Sequence, residues 1–256
     1  MIYEPKGKAR EYSPLAVNLY KGCGHGCAYC YVPAATFITR DEFDNQVEIK
    51  KDAIERLEAS AKQFSGTDQQ VLMSFSTDPY NSLNDEMQLT REALKIFLKY
   101  KIPVAILTKG GEKVLKDYDI IKQFGKHIKV GASLTFKNNT DSKKWERNAA
   151  LPAERFNTLK ILHGLGIRTW ASMEPVIDPD QSLNIMNTTC RFIDEYQVGR
   201  VNHIKSEIDW KDFLYKAITI LSDHNKEFYI KIGLGIAVLI AVIYFFLRKK
   251  LSSLFF

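Results

Sequence analysis

Three of the four cysteines in the chain lie within eight residues, in the order C-x3-C-x2-C. They are Cys23, Cys27 and Cys30. Thiolates spaced this closely can bind a single metal centre. Three glycines are interspersed with them, and glycine lets a loop fold tightly around a bound group because it has no β-carbon. These are Gly22, Gly24 and Gly26. The spacing therefore predicts a loop that wraps a metal.

Two kinds of metal site are compatible with three clustered cysteines. A structural zinc site takes four protein ligands, commonly as two pairs, and the chain has no second cysteine pair. His25 could be a fourth ligand, but it would have to fold back inside its own loop. A [4Fe–4S] cluster suits three thiolates, because its fourth iron then stays open to another ligand. The pattern favours an open iron–sulfur cluster, with zinc as the alternative.

Further motifs narrow this interpretation. Residues 18–31 carry the three cysteines, with Tyr29 immediately before the last of them. This segment resembles the cluster loop of the radical S-adenosylmethionine (radical SAM) superfamily, and in particular the group similar to spore photoproduct lyase. Four later segments resemble the pattern of that group in the same order, at 76–80 (STDPY), 107–111 (LTKGG), 174–179 (EPVIDP) and 201–203 (VNH). The resemblance extends from about Tyr3 to Tyr229.

The resemblance implies two cofactors, a [4Fe–4S] cluster and S-adenosylmethionine (SAM). In the superfamily, one electron from the reduced cluster cleaves SAM to a 5′-deoxyadenosyl radical, which abstracts hydrogen from a substrate. A reductant such as flavodoxin or ferredoxin is an expected partner. The leading substrate class is a nucleic-acid base that is repaired or modified, and a peptide or small metabolite is the second. Outside the enzymes, the alternative is a non-catalytic iron–sulfur or zinc-binding module.

The resemblance also implies cofactor contacts beyond the cysteine loop. Lys109 and Ser133 are expected to contact SAM, and the loop of Lys109 offers a cation and backbone N–H groups suited to a carboxylate. Ser76 and Asp78 are expected to reach the amino group or the ribose, and Glu174 is a further site candidate. The alternative role of such polar residues is to cap a helix or stabilise a turn.

Two tyrosines flank the last cysteine of the loop. Tyr29 is expected to pack on the cofactor. Tyr31 is the catalytic candidate, which either relays a hydrogen atom, as the resemblance implies, or stacks on adenine and shields the cluster from solvent. The lyases have an additional cysteine not far beyond the cluster, which donates hydrogen to the product radical. Here no cysteine lies between Cys30 and Cys190, and this absence counts against dimer repair itself. Cys190 falls on an apolar helical stripe and is predicted to be buried core.

Composition and charge limit the class of protein. A chain of 256 residues with 45% hydrophobic content suits one α/β domain. The 36 basic and 30 acidic residues give a net charge of +6, which is compatible with a nucleic-acid partner but is not concentrated in a run before the last residues. Clustered cysteines indicate a reducing, cytoplasmic compartment rather than a disulfide framework. The N-terminus has no apolar segment typical of a signal peptide.

Apolar runs alternate with helical stripes six times along the chain. The predicted strands are 16–20, 71–75, 104–107, 130–134, 169–173 and 199–203, and residues 138–141 are read as a loop. Successive strand–helix units give parallel strands. The predicted fold is therefore α/β, a partial (β/α)6 barrel of radical SAM type. Such folds place their chemistry at the carboxyl ends of the strands, so the candidate site residues are expected to share one cavity.

The chain is expected to have two parts, a core domain at 1–231 and a hydrophobic tail at 232–256. Residues 232–247 carry no charge, and three basic residues follow them. As a helix this run would span roughly 24 Å, close to the ~30 Å hydrocarbon core if Lys231 and Arg248 extend to the interface. The prediction is a single C-terminal membrane anchor. The alternatives are a helix packed on the open edge of the barrel, a tail lying on anionic lipid, and a segment joined by gene fusion or frameshift.

Overall fold

The computed structural model describes residues 1–73, 75–200 and 207–231. The strands in these ranges are β1 (Leu15–Val17), β2 (Tyr20–Lys21), β3 (Glu48–Ile49), β4 (Val71–Met73), β5 (Val104–Thr108), β6 (Ile128–Ser133), β7 (Arg168–Val176), β8 (Glu195–Arg200) and β9 (Glu227–Ile230). Seven of them form one sheet in the order β1-β4-β5-β6-β7-β8-β9, and every neighbouring pair is parallel. The strands β2 and β3 pair antiparallel beside the cysteine loop.

Helices connect consecutive strands of the sheet. They are α1 (Val32–Thr36), α2 (Arg40–Asn45), α3 (Ala53–Gln63), α4 (Ser82–Met87), α5 (Leu89–Lys99), α6 (Tyr118–Ile121), α7 (Asn139–Trp145), α8 (Pro152–Gly164), α9 (Pro179–Thr189) and α10 (Trp210–Asp223). Three 3-10 segments, Gly7–Glu11, Gly111–Asp117 and Lys122–His127, complete the described elements. A helix between parallel strands is the connection that the sheet topology requires.

One face of the sheet packs against the helices, and the other faces a cavity. Alternate strand residues such as Val71 and Met73 pack with Leu57 and Leu94 of the helices in the main core. The intervening Leu72 faces the other way, where it packs with the fully buried Trp170 and lines a cavity. Side chains of a strand alternate between faces, so the helices cover one face and leave the other for the cavity.

The α/β class with a parallel sheet is confirmed, and strands β1, β4, β5, β6 and β7 lie at five of the six predicted positions. The sixth strand, β8, begins four residues before the predicted range. The count of six is wrong, because β9 adds a seventh parallel strand. At the sheet edge its residues alternate between exposed and half-buried positions, and Phe228 and Ile230 pack against the core.

The predicted loop at 138–141 is also wrong, because helix α7 begins there. The side chain of Asn138 accepts a hydrogen bond of 2.8 Å from the backbone N–H of Asp141. Asn138 is therefore the N-cap of α7. The polar residues at a helix N-terminus are also common in loops, which is why the sequence suggested a loop here. The helices α1 and α2, which follow the cysteine loop, had no predicted counterpart.

Within the described ranges, no helix is both long enough and apolar enough to cross a bilayer. The predicted hydrophobic tail at 232–256 and the motif at 201–203 lie outside those ranges.

Substitution of a glycine in the sheet tests the packing of this face. A β-carbon at Gly131 would lie 2.5 Å from the indole of Trp170, whose Nε1 donates to the Ile106 carbonyl at 3.0 Å. We expect Gly131→Ala to lower the free energy of unfolding by about 1–3 kcal/mol, because the buried ring has no room to move. Urea denaturation measures the change. Gly164→Ala, where no atom lies within 4 Å of the added carbon, is the control and should not destabilise; equal effects would contradict the prediction.

Candidate cofactor site

A cavity of about 490 Å³ lies at the carboxyl ends of the parallel strands. All ten predicted site residues line it, namely Cys23, Cys27, Tyr29, Cys30, Tyr31, Ser76, Asp78, Lys109, Ser133 and Glu174. They come from the loops or strand ends after β2, β4, β5, β6 and β7. The structure thus brings the predicted residues together, while their individual roles stay predictions.

The cysteine loop needs glycine at two of its three glycine positions. Gly22 and Gly26 have φ angles of 72° and 62°, in the left-handed region that side chains disfavour. A β-carbon on Gly22 would also lie 2.8 Å from the carbonyl oxygen of Gln46. Gly24 has no positive φ, so its absence of a side chain is not a backbone requirement.

Arg40 of α2 holds the carbonyl groups of the cysteine loop. Its guanidinium donates to the carbonyl oxygens of Cys27, Ala28 and Cys30 at 2.9, 3.3 and 3.0 Å. Five fixed N–H donors suit arginine for such multiple contacts. No sequence motif marks Arg40, so it was not among the predicted site residues.

His25 joins the cysteine loop to the loop after β4. Its Nε2 lies 3.0 Å from Asp78 Oδ2, and both side chains are less than 10% exposed. Thr77 strengthens the same connection by donating to the Gly22 carbonyl at 2.7 Å. From the sequence, His25 was a possible zinc ligand, whereas in the structure its imidazole contacts the carboxylate of Asp78.

The carboxylate of Asp78 is satisfied by protein donors. Oδ1 accepts from the backbone N–H of Tyr80 at 2.8 Å and the Thr108 hydroxyl at 2.6 Å, and Oδ2 accepts from the backbone N–H of Lys109 at 2.7 Å. Burial alone would raise the pKa of Asp78, but the charge and hydrogen bond of His25, with these donors, lower it to about 2. This geometry favours the turn-stabilising alternative over direct contact with SAM.

The ammonium group of Lys109 is free for an anion. Its Nζ lies 5.5 Å from the ring centroid of Tyr29, and it makes no ion pair with any carboxylate in the described part of the chain. Burial lowers the pKa of Lys109, but Cys27 in its thiolate form and the carboxylate of Glu146 outweigh that effect, so the net pKa is raised. The residue therefore stays cationic at neutral pH, as a carboxylate ligand would require.

Tyr29 contacts a buried ion pair beneath the loop. Its phenol donates to the carboxylate of Glu146 and lies 3.2 Å from the Thr135 hydroxyl. The other oxygen of Glu146 lies 2.6 Å from Arg155 Nη2, and both charged side chains are at most 1% exposed. The guanidinium also donates to the carbonyl of Ser133, at the end of β6, at 3.0 Å.

Glu174 is held by residues from both ends of the described chain. The phenol of Tyr12 donates to its carboxylate, and Lys231 Nζ lies 2.6 Å from Oε2 and 3.7 Å from the Tyr12 ring centroid. Lys231 is only 7% exposed. The ammonium group of Lys231 is therefore buried against Glu174.

The two remaining predicted residues lie on the cavity wall. Tyr31 precedes α1 and is 45% exposed, and the partial burial of its phenol, with Cys30 and Glu174 nearby, raises its pKa to about 12. The backbone N–H of Ser76 donates to Asn18 Oδ1 at 3.0 Å, which fixes the loop after β4. Because its pKa is about 12, Tyr31 carries its phenolic proton at neutral pH.

The cysteine thiols fit an iron–sulfur cluster by their number and their position. All three are free of disulfides and line the same cavity next to Lys109. Burial raises the pKa of Cys27 to about 12, so the thiols stay protonated until a metal replaces their protons. Within the described ranges, no three His, Cys, Asp or Glu side chains are grouped closely enough to hold a metal ion.

Comparisons with known proteins agree with this site. The family described as the radical SAM superfamily matches residues 17–193. An uncharacterized protein of Methanocaldococcus jannaschii is 28% identical over 204 residues, which cover 77% of this chain and 74% of that protein. An uncharacterized protein of Mycobacterium tuberculosis is 24% identical over 167 residues, 63% of this chain and 49% of its own length. The chain thus spans about half of the mycobacterial relative.

Solved structures share the fold at low sequence identity. A spore photoproduct lyase mutant with bound AdoMet and dinucleoside spore photoproduct matches with a TM-score of 0.69 and 11% identity, over 88% of this chain and 78% of that chain. Streptococcus suis SuiB bound to S-adenosylmethionine matches with a TM-score of 0.64 and 14% identity, over 84% of this chain and 49% of that one. The chain therefore belongs to the radical SAM superfamily, and its cofactors are a [4Fe–4S] cluster and SAM.

Proposed function

We propose that this protein is a radical SAM enzyme of lyase-like type that repairs or modifies a nucleic-acid base. When bound, the cluster and SAM supply a 5′-deoxyadenosyl radical that abstracts hydrogen from the substrate. The observation that carries the proposal is that the three cluster cysteines and Lys109, whose ammonium makes no ion pair in the described part of the chain, line the same cavity. Its volume of about 490 Å³ lies within the usual range of ligand sites.

The residues of the chain would bind and orient the cofactor. Lys109 presents its ammonium to the SAM carboxylate, and the Asp78 carboxylate holds the backbone of that same residue. Tyr31 holds a phenolic proton at the cavity wall, the position from which it would relay a hydrogen atom.

Positive charge at the cavity supports a nucleic-acid substrate. Lys6 and Arg200 line it, and in the described part of the chain neither makes an ion pair. Unpaired cations of this kind bind phosphate groups. The spore photoproduct lyase of similar fold was solved with a dinucleoside product bound. Repair of that photoproduct is less well supported, since the described cavity wall holds no cysteine beyond the cluster loop.

Anaerobic turnover tests the proposal. The reconstituted protein should form 5′-deoxyadenosine from SAM in the presence of dithionite. A stable cluster without this product would instead support the non-catalytic iron–sulfur module, and bound zinc without iron would refute the cluster. Deuterium transfer into 5′-deoxyadenosine from deuterated oligonucleotides should exceed that from deuterated peptides or metabolites; the opposite result would refute the nucleic-acid substrate. A comparison of flavodoxin and ferredoxin as reductants identifies the electron donor.

Removal of the Lys109 charge should weaken SAM binding. We expect Lys109→Met to raise the Kd for SAM by about 10- to 100-fold, because a hydrogen bond to a charged group contributes about 1.5–3 kcal/mol. Titration calorimetry of the reconstituted protein measures this. Lys113→Met is the matched control, since Lys113 pairs with Asp85 at 2.6 Å and does not line the cavity. An unchanged Kd in the Lys109 variant would remove this residue from the cofactor site.

The membrane anchor is a separate proposal that rests on the uncharged run at 232–247. We expect the full-length protein to sediment with membranes and to resist alkaline carbonate extraction. A chain ending at Lys231 should be soluble and should still bind the cluster. Full-length protein in the soluble fraction without detergent would contradict the anchor.

A further inference from the structure

The buried Glu146–Arg155 ion pair lies outside the predicted site, yet it contacts several parts of that site. The three nitrogens of the Arg155 guanidinium reach three different groups. Nη2 lies 2.6 Å from Glu146, Nη1 donates to the Ser133 carbonyl at 3.0 Å, and Nε donates to the Ala150 carbonyl at 2.7 Å. The guanidinium therefore connects α8 to the end of β6.

The segment around Glu146 is paired with the cysteine loop along its length. Glu146 forms an antiparallel bridge with Cys27, and the N–H of Ala28 donates to the Trp145 carbonyl at 2.8 Å. Asn148 donates from its backbone to the His25 carbonyl at 3.0 Å and from its side chain to the Gly24 carbonyl at 2.9 Å. The cysteine loop is thus hydrogen-bonded to this segment from Gly24 to Ala28.

A third contact reaches the end of β5. The N–H of Ala150 donates to the carbonyl of Lys109 at 3.0 Å, while the Ala150 carbonyl accepts from Arg155. The cysteine loop, the Lys109 loop and the end of β6 at Ser133 therefore all meet at one ion pair.

We propose that Glu146 and Arg155 are positioning residues, which set the cysteine loop and the ends of β5 and β6 in the arrangement that holds the cluster and SAM. The pair does not line the cavity, so it would act through Tyr29, Cys27, Lys109 and Ser133. Residues that hydrogen-bond to metal ligands and orient them commonly affect the affinity for the metal.

An ion pair that only stabilises the core would behave differently. Replacing both charges of a buried pair by uncharged residues is often neutral for stability, whereas removing one charge strands the other. The double variant Glu146→Gln/Arg155→Met therefore separates positioning from stability. It retains an acceptor for the Tyr29 phenol but no longer holds the Ser133 and Ala150 carbonyls.

The test compares cluster retention and SAM binding in the reconstituted double variant. We expect the cluster to be lost to an iron chelator about 10- to 100-fold faster than in the wild type, and the Kd for SAM to rise by a similar factor. The thermal unfolding of the cluster-free protein is recorded in parallel. Because cluster retention needs no turnover, this result is distinguishable from a failure of the proposed enzymatic function.

A second ion pair, between β6 and β8, supplies the matched control. Lys129 and Glu195 lie 2.7 Å apart, 12% and 15% exposed, at the opposite end of β6 from the cavity. Lys129→Met/Glu195→Gln should keep the cluster and the SAM affinity of the wild type. The inference is overturned if the two double variants behave alike. If Glu146→Gln/Arg155→Met does not fold, Arg155→Lys replaces it, because one ammonium group cannot reach all three partners of the guanidinium.

Discussion

Replacement of any one of Cys23, Cys27 and Cys30 by alanine is expected to abolish both the [4Fe–4S] cluster and the formation of 5′-deoxyadenosine. Three protein thiolates leave one iron open, so the loss of a further ligand leaves the cluster held by two residues. The loss of 5′-deoxyadenosine formation should be complete, since cleavage of SAM takes its electron from the cluster. Iron and sulfide content, the visible spectrum and the yield of 5′-deoxyadenosine after reconstitution are the measurements.

Cys190→Ala is the control for this prediction. Cys190 is 2% exposed and packs in a hydrophobic cluster with Met186 and Ile193, as the apolar stripe predicted. Its replacement should retain full iron content while lowering the free energy of unfolding by about 1 kcal/mol through a small cavity. A cysteine-loop variant that still assembles the cluster and forms 5′-deoxyadenosine would refute the assignment of the ligands.

Convergence of the candidate residues on one cavity was predictable from the sequence. Asp78, Lys109, Ser133 and Glu174 each follow or end an apolar run, and parallel strands bring their carboxyl ends to one edge. This argument needs only the order of strands and helices, which remained valid even though β9 was missed. The roles of these residues were less predictable, as Asp78 shows, because its carboxylate is occupied by protein donors.

The residues that support the site through contacts with the predicted residues could not be found from motifs. Tyr29 and Glu146 are 117 positions apart, and Tyr12 and Glu174 are 162 apart, so no local spacing connects them. Arg155 carried one usable signal. It lies on the buried face of α8 with Leu159 and Leu162. A charge on an apolar stripe requires a buried partner, although the sequence does not say which carboxylate supplies it.

Asp78→Asn is expected to lower the free energy of unfolding by about 3 kcal/mol and to loosen the cysteine loop. The substitution removes the carboxylate charge that lies 3.0 Å from His25 Nε2, in a position less than 10% exposed. It also weakens the hydrogen bonds from Thr108 and from the backbone of Lys109. Urea denaturation of the cluster-free protein measures the change, and the reconstituted variant should lose its iron to a chelator faster than the wild type.

The pH dependence of this difference follows from the pKa of Asp78. Its pKa is about 2 in the folded protein and 3.8 as the ordinary value, so the folded state favours the ionised carboxylate. That contribution is fully present above the unfolded pKa and is lost as the pH falls from about 4 toward 2. The stability gap between wild type and Asp78→Asn should therefore be constant near neutral pH and shrink in acid. Asp119→Asn, in an exposed pair with Arg91, is the control and should change stability little. A gap that stays constant down to pH 2.5 would show that Asp78 acts by packing and not by its charge.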